Sequence, residues 1–370
     1  MKSCGRILVR ANNWIGDAVL STPALHALRR AFPEAEISVL AKPWVIPVLR
    51  NNPDADRILL YDAGGRHKGV RGVNRLGSDL RGERLDCAIL LQRAFEAAWI
   101  AFLARVPLRV GLRTEGRGCL LTHAIAVSRE ELLIPRAKHN LAMLQAVGIA
   151  PAAKGLVLRT NGPELEKARQ RLAAIGVRPD ERLYGLSPGA AFGPAKRWLP
   201  ERFAAVAERL AALHHGRGLV FGGPGERELG ERIAREAPGA ANLAGTTTLD
   251  EAIALIGLCG LFITNDSGLM HIAAGLDVPL VAIFGPTDPR TTAPWSSRHR
   301  LVRKEGVCCS PCLKRECEQD HRCMRSISVE EVLAAAASVI EDYGWAALRE
   351  RTRILEGALA QPIPVVTLGA

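Results

Sequence analysis

The run Ser187-Pro188-Gly189-Ala190-Ala191-Phe192-Gly193-Pro194-Ala195-Lys196-Arg197-Trp198 has the strongest chemical character in the chain. Glycines after a strand let backbone N–H groups approach an oxyanion closely, and Lys196 with Arg197 adds fixed positive charge. A diphosphate asks for that combination, with or without a metal. The run matches neither GxxxxGK[ST] nor GxGxxG, so it encodes neither the Walker arrangement nor a standard NAD site. Without a ligand, the same residues read as a glycine-rich connector with an exposed basic pair.

A second cluster is Thr264-Asn265-Asp266-Ser267-Gly268-Leu269-Met270-His271, at a strand-to-helix junction. Asp266 or Ser267 can cap the helix, leaving other amides, such as that of Gly268, for a phosphate. His271 is either part of that site or a satisfied core histidine. Asn13-Trp14-Ile15-Gly16-Asp17 follows the first strand. Asp17 opens a helix, so it is either a cap or a general base. In Gly222-Gly223-Pro224-Gly225-Glu226, Glu226 is either an acceptor for ribose hydroxyls or a first-turn carboxylate favoured by the helix dipole. Five cysteines, with His321, crowd the stretch Cys308 to Cys323. Cys309, Cys312, Cys317 and Cys323 suit a tetrahedral structural zinc, although their spacing is tighter than in common zinc modules. Reduced thiols or a redox pair are the other readings, and no open ligand set for a catalytic metal accompanies them.

These residues need elements that hold them. Short apolar strands are expected at Arg6–Arg10, Glu36–Leu40, Arg57–Tyr61, Asp86–Leu91 and Arg109–Leu112 in the first half. In the second half they fall at Leu183–Ser187, Gly218–Phe221, Leu261–Thr264 and Pro279–Phe284. Strands separated by helical lengths imply an α/β chain with parallel sheets covered on both faces. Helices are expected over 163–174, 200–213, 226–236, 249–257 and 267–276. Pro23 either begins a second helix after Thr22 or kinks the first. The spacing predicts an N-terminal domain over 1–175, a C-terminal domain over 176–330 and a helical segment over 331–370, which suits 370 residues. Ligands bind at the carboxyl ends of strands in such sheets, and each C-terminal strand end carries glycine and polar residues.

An apolar share of 48% and a charged share of 24% exclude collagen-like and disordered classes. The net charge of +11 points to anionic partners. Between Gly64 and Gly118 there are eleven Lys and Arg against five Asp and Glu, a face suited to a phosphorylated or acidic substrate unless it is merely solvated. Nucleic acid is not expected, since Phe95, Trp99 and Phe102 are spaced like a buried helix face. With no recognisable signal peptide or membrane-length apolar run, and an odd nine cysteines, the sequence is expected to belong to the cytoplasm.

Together, Asn13 to Asp17, Pro188-Gly189-Ala190 through Trp198, Asn265 to His271, and Phe284-Gly285-Pro286-Thr287-Asp288-Pro289 resemble the lipopolysaccharide heptosyltransferases, glycosyltransferase family 9. These pieces run in the expected order over most of the chain. The resemblance implies a GT-B architecture, two Rossmann-like domains facing a central cleft. It implies inverting transfer of L-glycero-D-manno-heptose from ADP-heptose to a heptose of the lipopolysaccharide inner core. Lys196 would contact the phosphate and ribose region, Glu226 the ribose and Asp266 the heptose hydroxyls. Ser267, Gly268 and His271 would surround the diphosphate, Thr247 would line the nucleotide site, and Asp17 would be the catalytic base. No cofactor would be required for catalysis, and the basic N-terminal half would face the acidic acceptor from the inner surface of the membrane. Another enzyme of the same architecture, a different heptosyltransferase or a sugar-nucleotide epimerase, is the neighbouring alternative.

Overall fold

Leucine- and β-branched-rich runs bounded by glycine, proline and polar residues become the strands of two sheets in the computed structural model, which describes residues 4–128, 130, 133–151 and 155–369. The first sheet is built on β1 (Arg6–Arg10), β2 (Glu36–Ala41), β3 (Arg57–Leu60), β4 (Cys87–Leu90), β5 (Leu108–Leu112) and β6 (His123–Ile125). The second contains β7 (Arg182–Ser187), β8 (Gly216–Val220), β9 (Ala240–Asn242), β10 (Leu261–Asn265), β11 (Leu280–Phe284) and β12 (His299–Arg303). The last strand, β13 (Val365–Thr367), joins the outer edge of the first sheet against β3.

The strand orders are β13-β3-β2-β1-β4-β5-β6 and β12-β11-β10-β7-β8-β9, and every pairing is parallel. Each order reverses once, between β1 and β4 in the first sheet and between β7 and β10 in the second. The central strands are buried along their length, as in β10 and β11, because helices cover both faces. The crevice outside the reversal point is where such sheets bind ligands. The loops carrying Asp17 and Lys196 leave β1 and β7, so both emerge at a reversal point.

Contacts divide the chain into residues 1–158 with 361–370, and residues 159–360. The first boundary therefore falls before the expected 175. The helix Gly162–Ala174 packs against the helix Leu249–Leu258, where Arg171 pairs with Glu251 at 3.0 Å and donates to Thr246 at 2.7 Å. Nor does the chain after 330 form one helical appendage. The helices Val329–Tyr343 and Leu348–Glu356 stay with the second sheet; between them Trp345 donates to the Leu183 carbonyl, and Arg351 of the second helix donates to the Gly257 carbonyl. The chain then returns to the first sheet as β13.

Pro23 lies in the first turn of a separate helix, Thr22–Ala31, after the short helix Ile15–Val19. Thr22 donates its hydroxyl to the Val19 carbonyl at 2.8 Å, joining the two across the break. Among the described residues, no helix is long and apolar enough to cross a membrane.

Candidate active site

In the second unit, the expected residues line up along the carboxyl edge of one sheet. Following the strand order, Thr247 comes after β9, Glu226 after β8, Lys196 after β7 and Asp266 after β10. Asn265 ties the two central loops together. Its side-chain amide donates to the Pro188 carbonyl at 2.7 Å, and its Oδ1 accepts from the Trp198 amide at 3.1 Å.

Asp266 and Lys196 meet directly, Nζ to Oδ2, at 2.6 Å, with side chains 5% and 11% exposed. The same oxygen accepts from the hydroxyls of Thr287 at 2.7 Å and Thr292 at 3.2 Å, whereas Oδ1 takes none of the three. A buried carboxylate without such donors would carry a desolvation penalty of several kcal/mol. Lys196 also stands 4.9 Å from the Phe192 ring centroid, and a lysine ammonium has three protons, so only one is used on Asp266. Ser267 caps the helix Gly268–Gly275 by accepting from the Met270 amide, which leaves the first amides, including that of Gly268, at the loop beside Asp266. His271 is buried within that helix.

Glu226 ends a single 3₁₀ turn, Pro224–Glu226, ahead of the helix Arg227–Glu236. Its carboxylate turns back to accept from the Gly223 amide at 2.9 Å and lies 3.7 Å from Arg197. A methyl group on Gly189 would stand 2.0 Å from Glu226 Oε1, so glycine is what admits this carboxylate to the β7 loop. Thr247 is half-buried in the turn beyond β9; the same turn's Gly245 packs on Pro224.

The cysteine-rich stretch braces the Lys196 loop. Arg315 donates Nε to the Phe192 carbonyl at 2.7 Å and its own carbonyl accepts from the Ala195 amide at 3.1 Å. His321 Nε2 stands 2.7 Å from the Ala195 carbonyl. Cys312 and Cys317 are exposed, while Cys323 is buried beneath Gly285, where burial and the neighbouring sulfurs push its thiol up to about 11. Among the described residues, no group of three or more His, Cys, Asp or Glu stands where one ion could be held. The sulfurs of Cys309, Cys317 and Cys312 stand near enough to Cys323 to act on its thiol, but among the described residues the expected set of four is not grouped as the ligands of one ion.

In the first unit, Asp17 occupies the first turn of Ile15–Val19 but does not cap it, since the cap position is Trp14. Its carboxylate is 25% exposed and lies 3.5 Å from Arg136 Nε. The loop before it is set by Arg10, which is buried, donates to the Ala11 and Leu40 carbonyls and to Asn13 Oδ1, and lies 5.2 Å from the Tyr61 ring centroid. Burial lowers this guanidinium to about 10, still protonated at neutral pH. Arg93, beyond β4, is likewise lowered to about 10, by burial first and by the charge of Arg136 next.

Sequence reasoning missed Thr287, Thr292, Asn265, Arg136 and Arg10. Thr287 and Asn265 sit in the recognised Phe284–Pro289 and Asn265–His271 runs, which were usable signals, and Arg10 is close in sequence to Asn13; Thr292 and Arg136 are distant in sequence from Asp266 and Asp17.

The model for glycosyltransferase family 9 (heptosyltransferase) matches residues 73–322. Lipopolysaccharide heptosyltransferase 2 of Salmonella typhimurium is 34% identical over 310 residues, covering 80% of this chain and 88% of that protein. Lipooligosaccharide heptosyltransferase 2 of Haemophilus influenzae is 33% identical over 316 residues, with the same coverage. Among solved structures, ADP-heptose lps heptosyltransferase II of E. coli superposes with a TM-score of 0.76 at 30% identity, covering 91% of this chain and 99% of that one. A family 9 glycosyltransferase from Veillonella parvula gives a TM-score of 0.82 at 26% identity, covering 91% and 97%.

Proposed function

The chain belongs to glycosyltransferase family 9, and from that premise we propose that it transfers L-glycero-D-manno-heptose from ADP-heptose to a heptose of the lipopolysaccharide inner core, with inversion at the transferred carbon. The observation that carries the reading is the buried Asp266–Lys196 pair at the reversal of the second sheet, beside the start of a helix. Lys196 offers its remaining ammonium protons to the diphosphate. The helix start contributes about half a positive charge and free amides, such as that of Gly268. Asp266 Oδ1 accepts from the heptose hydroxyls, Glu226 accepts from the ribose, and Ser267, Thr247 and His271 lie around the nucleotide.

The acceptor hydroxyl attacks the anomeric carbon as the bond to the phosphate oxygen breaks, and that electron pair leaves with ADP. Asp17 takes the hydroxyl proton as the new C–O bond forms. Its partial exposure and single long ion pair support this role, because such a carboxylate keeps lone pairs available. Lys196 and the helix amides supply the charge that the departing ADP requires, and no metal is assigned a step. A net charge of +11 supports peripheral contact with the anionic membrane face that presents the acceptor.

The test is ADP release. ADP should appear from ADP-heptose only when a heptose-bearing core acceptor is present. Release without acceptor, or turnover of a UDP-sugar instead, overturns the assignment.

A further inference from the structure

Directly after β2, Lys42 leads into the turn Pro43–Val45, which packs against the helix Ile15–Val19 carrying Asp17. Trp44 in that turn is 51% exposed. A single exposed tryptophan needs no explanation, but this one is fixed. Its indole N–H donates to the Asn13 carbonyl at 2.7 Å, which sets the ring plane while leaving the ring open. Lys42 reaches along the same edge, its Nζ 5.5 Å from the Trp44 centroid and 5.0 Å from that of Tyr61. Among the described residues the ammonium forms no ion pair. Burial draws it below the usual lysine range, Glu96 opposing and Arg10 adding to that pull. The result is an oriented aromatic surface and a lysine ammonium with no direct carboxylate partner among the described residues, on the strand ends that carry the Asp17 loop.

We propose that Trp44 and Lys42 form a subsite for the acceptor, the indole covering the C–H face of an acceptor sugar ring and the ammonium pairing with an anionic substituent on it, phosphate or carboxylate. The inference rests on the heptosyltransferase reading and deepens it. The donor machinery lies in the other unit, so a sugar platform beside the base receives the nucleophile. Tryptophan suits the task because it offers a large apolar face while its polar edge is already satisfied. Lysine supplies a compact charge on a flexible stem, which accommodates anions of different shape. Arg10 underpins the arrangement by holding Asn13, the residue to which Trp44 is tied.

Steady-state kinetics of the full chain with ADP-heptose and a core oligosaccharide acceptor test it. Trp44→Ala should raise the acceptor KM by about 10- to 100-fold while the ADP-heptose KM stays within about twofold, and Trp44→Phe should restore most of the loss. Lys42→Gln, a milder change at an exposed edge, should raise the acceptor KM by about tenfold. If the anion is phosphate, that variant no longer distinguishes the acceptor from its phosphatase-treated form; if it is carboxylate, both forms weaken alike. Acceptor KM values that stay within about twofold of the parent in folded Trp44→Ala and Lys42→Gln overturn the subsite alone. A parent protein that transfers no heptose overturns the underlying reading, and the subsite with it.

Discussion

Asp266 and Asp17 both follow a strand at the reversal of its sheet, but they are held in opposite ways. Asp266 is buried and its Oδ2 accepts from one ammonium and two hydroxyls. Asp17 is partly exposed, caps nothing, and meets one guanidinium at 3.5 Å. A carboxylate surrounded by short charge-assisted bonds is costly to move, which suits a group that must stay put and orient a lysine. A partly exposed carboxylate with one long ion pair keeps lone pairs open to an incoming hydroxyl, which suits a base. The two regions thus divide the work into a rigid holder and a reactive group.

Asp17→Asn should separate the two carboxylates most strongly. Since Asp17 does not cap its helix, the change removes only a half-exposed ion pair, worth about 0–1 kcal/mol, and the basic lone pair. Turnover should fall by about 10²–10⁴-fold, while thermal melting and the ADP-heptose KM stay near the parent values. An active Asp17→Asn enzyme would remove Asp17 from the mechanism.

Lys196→Ala should behave differently on both axes. The loss of a charge-assisted contact predicts a decrease of about 10- to 100-fold in kcat/KM. Unlike Asp17→Asn, it strands Asp266 in a buried site, so stability should fall by about 3–5 kcal/mol, read as a lower Tm or a lower denaturation midpoint. Adding Asp266→Asn to Lys196→Ala should recover part of the stability and none of the activity. Equal melting of parent and Lys196→Ala would show that Asp266 does not depend on Lys196 for its place in the fold.

The smallest effect is expected at the cysteines. Chelation should leave the transfer rate within about twofold, since the proposed charge on ADP comes from Lys196 and helix amides. Alkylation followed by mass spectrometry should label the exposed Cys312 and Cys317 before Cys323, whose thiol is held up to about 11. One zinc per chain in metal analysis, with all three thiols protected, would restore the four-cysteine site that the side-chain arrangement does not form.

The central strands were legible in the residues because burial on both faces demands continuous apolar runs, as in Ile7–Val9 and Leu280–Phe284. The edge strands were not. β6, β9 and β13 are three residues each, and β12, His-Arg-Leu-Val-Arg, carries charge at both ends. The glycine-rich loops and their polar residues announced Lys196, Glu226 and Asp266, and the sheet brings all three to one edge. The groups that hold them and Asp17 were invisible because Thr292, Arg315 and Arg136 act across long stretches of sequence. The same limit hid the unit boundary: periodicity in Gly162–Ala174 shows that Leu165, Ala168 and Leu172 are buried, but not against which sheet.

The return of the chain to the first sheet sets an order of events during synthesis. β3 leaves the ribosome early, yet the strand that closes its edge, β13, is made only after the whole of the second unit, from residue 159 to 360, has been translated. At about 5–20 residues per second that interval is on the order of 10–40 s. Throughout it, the nascent first unit presents unpaired backbone amides and carbonyls along Arg57–Leu60, the kind of open edge that recruits stray strands. The growing polypeptide therefore has a window in which a chaperone or a neighbouring nascent chain can reach an edge that β13 later covers.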